Sequence, residues 1–122
     1  MTKSIIQDPR LRERNYGKDE GVHYDSLKKE EKQKFEDFNY KPEGGESWVD
    51  VQKRTHLFFQ SLKTPGNYLA FTCGGLICAN TFDLGLVDVI PNCSCVALEL
   101  DANSKPSKIL FEWELPEIQE QK

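Results

Sequence analysis

Between residues 46 and 62, Trp48, Val51, Thr55, Phe58 and Leu62 recur at intervals of three and four. That is one face of a helix. Ser47-x-x-Asp50 at its start reads as a capping box, so the pattern predicts a helix over Glu46–Leu62. His56 lies off the apolar stripe and reads as a surface helix residue. Tyr68–Phe71 is different: four apolar residues in a row, the pattern of a strand buried on both faces. Gly74-Gly75 then allow a sharp turn, Leu76, Ile77 and Ala79 follow at helical spacing, and Gly85 stands where that helix should stop.

The flanking segments are weaker. Tyr24–Asn39 has only Tyr24, Leu27, Phe35 and Phe38 on an apolar stripe, which predicts a peripheral helix. Tyr40–Gly45 and Thr64–Asn67 read as turns from their Pro and Gly. Cys93–Leu100 and Lys108–Glu114 read as two strands of a hairpin around the polar loop 101–107. Residues 115–122 form an acidic tail expected to fray. Helices alternating with strands place the chain in the α/β class, as one domain over residues 1–122.

A net charge of −4 over 122 residues argues against nucleic acid and polybasic membrane contacts, which need an excess of Lys and Arg. No run approaches the roughly 20 apolar residues of a membrane span, and no leader-like segment opens the chain. Cys73, Cys78, Cys93 and Cys95 have neither disulfide-framework nor zinc spacing. They read as reduced thiols of a cytoplasmic protein, with no metal or cofactor expected.

Two stretches carry candidate chemistry. In Asp8–Gly21, Arg10, Arg12 and Arg14 alternate with Leu11 and Glu13. If the segment is extended, three guanidiniums share one side and form a surface for phosphate or carboxylate. Glu13 would sit where a leaving oxygen needs a proton, given enough burial to offset those neighbours. The second stretch is the strand–Gly-Gly–helix device at Tyr68–Ala79, which aims free N–H groups and a helix dipole at an anion. Cys73 stands at its hinge as a candidate nucleophile. A Cys-x5-Arg phosphatase loop is excluded by its spacing: the sixth residue on is Ala79, and no arginine follows Arg54. His23 and His56 lack the context of a Cys–His pair.

Four segments together resemble the histidine phosphatase superfamily, which includes cofactor-dependent phosphoglycerate mutases and fructose-2,6-bisphosphatases. Leu11-Arg12-Glu13-Arg14-Asn15-Tyr16-Gly17 with Glu20-Gly21 looks like its LxERxYG…EG segment. Gly44-Gly45-Glu46-Ser47 with Val51 and Arg54 is similar to its GGES helix start. Phe71–Ile77 resembles (S/T)HGGxI, and Asn92-Cys93-Ser94 resembles the NCS strand entry. The resemblance implies a three-layer sheet flanked by helices and phosphoryl transfer on phosphorylated small metabolites through a phosphohistidine. It assigns Glu13 to the proton donor and Arg12, Arg14, Asn15, Tyr16, Gly74 and Gly75 to substrate contacts. Cys73 falls on the family's second histidine.

The family's RHG motif, with the attacking histidine and the first strand, has no counterpart before Asp8. A thiol in place of the second histidine is a weak donor without positive charge. The expectation is therefore a chain with impaired phosphatase or mutase chemistry. The alternatives are a pseudoenzyme holding a phosphorylated ligand or a protein partner, and a truncated copy of an active enzyme. A homo-oligomer is also open.

Overall fold

A computed structural model describes residues 4–88, 90–114 and 116 of the chain. Three short 3-10 turns, Pro9–Leu11, Gly17–Asp19 and Tyr24–Ser26, lead into helix α1, Lys29–Glu36. Helix α2 spans Trp48–Ser61, and α3 spans Gly74–Thr81 and runs on into a 3-10 turn, Phe82–Leu84. Strands β1, Cys95–Leu100, and β2, Pro106–Trp113, follow. The fold is α/β, with a small sheet.

Helix α2 forms where its pattern predicts. The Ser47 hydroxyl accepts from the Asp50 N–H at 3.0 Å, and the Ser47 N–H donates to the Asp50 carboxylate at 3.0 Å. Such a cap contributes about 1 kcal/mol. Val51 and Thr55 on the predicted stripe are fully buried. Helix α3 starts at the Gly-Gly pair and gives out before Gly85, which takes a left-handed φ of 91°. Val51, Leu76 and Ala79 form the buried apolar core between α2 and α3, with Trp48 and Cys73 packed on it. The Gln52 side-chain amide donates to the Ala79 carbonyl at 2.7 Å and ties the two helices. The peripheral helix predicted over Tyr24–Asn39 is shorter than its stripe, being a 3-10 turn plus the eight residues of α1.

The hairpin is present: β1 and β2 pair antiparallel, with irregularities in register between Ala97 and Leu98 and between Glu99 and Leu100. Pro106 opens β2 rather than lying in the loop, which suits a residue that cannot donate to a ladder. The tail 115–122 lies outside the described residues, apart from residue 116.

Two expectations are corrected. Tyr68–Phe71 is not a buried strand. Among the described residues its backbone has no ladder partner, and Leu69 and Phe71 are 76% and 84% exposed. The apolar run is real, but a strand needs a neighbour to bond, and the sheet described is the two-stranded hairpin. Nor is Asp8–Gly21 extended. Pro9 and the Asp8 side chain, which accepts from the Arg10 N–H, set a 3-10 turn that breaks the alternation of the arginines.

Candidate functional site

The loop carrying Glu13 is held by backbone packing and by ion pairs, the most buried of them between Arg54 and Glu46. At Gly17, with φ of 54°, a Cβ would lie 2.2 Å from the Glu43 carbonyl oxygen. A Cβ on Gly45 would lie 2.6 Å from the Asn15 carbonyl oxygen. Only glycine lets these two loops touch. Across the contact the Glu46 N–H donates to the Asn15 carbonyl at 2.8 Å, and the Asn15 N–H donates to the Glu46 carboxylate at 3.0 Å.

Glu46 in turn accepts from Arg54 Nε at 2.8 Å. Arg54 is nearly buried, and its remaining nitrogens donate to the carbonyls of Arg10 at 2.6 Å and Glu13 at 3.2 Å. One guanidinium of α2 thus anchors both ends of the 10–13 segment. Burial alone would raise the Glu46 pKa. The Arg54 hydrogen bond, the Asn15 N–H and the charges of Arg54 and Arg12 outweigh it and hold the carboxyl below its ordinary range.

The three N-terminal arginines diverge. Arg10 pairs with Asp8 at 2.5 Å and donates to the Leu57 carbonyl near the end of α2. Arg12 is more than half exposed and donates to the Pro9 carbonyl at 2.9 Å. Arg14 is 3% exposed, with its guanidinium carbon 4.5 Å from the Trp48 ring centre and 5.0 Å from that of Tyr16. It donates to the carbonyls of Glu46 at 2.7 Å and Tyr40 at 3.3 Å. Burial lowers its pKa from the ordinary arginine value. The shared guanidinium surface expected from the alternation does not form. Asn15 is also committed, its side-chain oxygen accepting from the Gly17 N–H at 2.8 Å.

Glu13, Tyr16, Gly74 and Gly75 do come together, with Arg14, along a cleft of about 1050 Å³. A Cβ added to Gly75 would meet Trp48 Cη2 at 3.0 Å and Glu13 Oε1 at 3.2 Å, so the missing side chain is what seats Glu13 against the start of α3. Glu13 Oε1 also accepts from the Arg14 N–H at 2.9 Å. Cys73 is the N-cap of α3 and makes no side-chain cap bond. The first N–H groups of the helix, on Gly74, Gly75 and Leu76, have no partner among the described residues. Thr72 fastens this corner, its hydroxyl donating to the Leu11 carbonyl at 2.7 Å.

The charge on the cleft wall is mostly negative. Glu13, Asp19, Glu20, Glu36 and Asp88 line it against the single guanidinium of Arg14. Neither His23 nor His56 lines it; His56 sits half-buried on the outer side of α2. Among the described residues no three His, Cys, Asp or Glu side chains gather as a metal site.

Comparison with known proteins decides the family. The model of the histidine phosphatase superfamily (branch 1) matches residues 1–109. The chain belongs to the histidine phosphatase superfamily. The crystal structure of TTHB049 from Thermus thermophilus is similar, with a TM-score of 0.71 and 32% sequence identity over 88% of this chain. The matched part spans 60% of TTHB049. A search of curated proteins returned no match.

Within this superfamily member, sequence reasoning recognised Glu46 and Arg54 only as parts of a motif. They lie eight apart with a helix cap between them, so no helical spacing rule pairs them. Trp48 read as core and nothing more, yet it packs on Arg14 and beside Gly75. No helix among the described residues is long and apolar enough to cross a membrane.

Proposed function

We propose that this superfamily member holds a phosphorylated small metabolite weakly at the N-terminus of α3 and forms no phosphohistidine. One observation carries the reading. Among the described residues the cleft at Glu13, Gly74 and Gly75 has no imidazole on its wall, and Cys73 stands at the helix cap. A thiol there cannot carry the positive charge that a histidinium would bring to a phosphoryl group. What remains for an anion is the set of unpaired N–H groups at the start of α3 and its dipole, each contributing about 0.3–1 kcal/mol at an accessible site. Five carboxylates on the same wall oppose a dianion. Affinity is therefore weaker than a dissociation constant of about 1 mM.

The test is an NMR titration with inorganic phosphate and with a bisphosphorylated glycerate. Shifts should concentrate at the amides of Gly74, Gly75 and Leu76 and saturate only at millimolar ligand. Absence of shifts at these amides, or steady release of phosphate from the glycerate ester, defeats the proposal.

A further inference from the structure

We draw no further inference here: the strongest candidate, the carboxylate and aromatic cluster of Asp19, Glu20, Glu36, Tyr24 and Phe35 on the wall of the cleft, belongs to the site already described, and in a chain whose matched part spans 60% of TTHB049 nothing in the structure shows what faces it.

Discussion

Arg54→Ala tests how the site is held. The substitution removes a nearly buried guanidinium that serves the Glu46 carboxylate at 2.8 Å and the carbonyls of Arg10 and Glu13. Removing one member of a buried pair costs about 3–5 kcal/mol, because the other is left charged and unpaired. Glu46 retains the Asn15 N–H and some solvent contact, its side chain being 16% exposed, which places the cost near the lower end, about 3 kcal/mol. With an apolar core of Val51, Leu76 and Ala79, total stability belongs near the bottom of the usual range, about 5 kcal/mol. The variant should thus lose more than half of it. Urea denaturation followed by far-ultraviolet circular dichroism reads the loss. Arg54→Lys keeps the charge without the planar fork and should recover less than half of it. A cost below about 1 kcal/mol, the range of an exposed salt bridge, would refute the idea that this ion pair anchors the Glu13 loop.

Other outcomes follow from the same contacts. Gly45→Ala should destabilise by at least about 2 kcal/mol in the same denaturation, since its Cβ meets backbone of the 15–17 loop at 2.6–2.9 Å and backbone cannot swing away. Glu46 has a lowered folded pKa, so its contribution is complete above the ordinary carboxylate value of 4.5 and fades as pH falls through the folded value. Glu46→Gln should be less stable than the parent at pH 7 and show a flatter loss on acidification, measured by thermal melts across that window. The Cys78 thiol is pushed up by burial and then by the Asp88 carboxylate, whereas Cys93 and Cys95 are exposed. Under a thiol reagent near neutral pH, Cys93 and Cys95 should be labelled first and Cys78 later, as read by peptide mass mapping.

Helix positions were legible wherever local physics sufficed. The Ser47–Asp50 box and the stripe through Val51 and Thr55 need only neighbours in sequence, as do the glycine start and stop of α3. Tyr68–Phe71 was not, because apolar character records what a segment would bury and says nothing about what lies beside it. The arginines failed for a related reason. Alternation places side chains on one face only in an extended chain, and the Asp8–Arg10 contacts turn the chain at Pro9. Of the candidate site, Glu13, Arg14, Tyr16, Gly74 and Gly75 share the cleft, Arg14 with its guanidinium against the Tyr16 and Trp48 rings, whereas Asn15 is spent on a turn. The place of Arg14 is set largely by Tyr40, Glu46 and Trp48, residues 26 or more positions away, and no local spacing encodes it.

We propose that this histidine phosphatase superfamily chain, with Cys73 at the helix cap and neither His23 nor His56 on the cleft wall, takes up no phosphoryl group covalently. Intact-protein mass spectrometry after incubation with a bisphosphorylated glycerate, before and after brief acid treatment, measures this directly. The chain should keep the mass of the unmodified 14.0 kDa polypeptide throughout. Gain of one phosphoryl group that acid removes would contradict it.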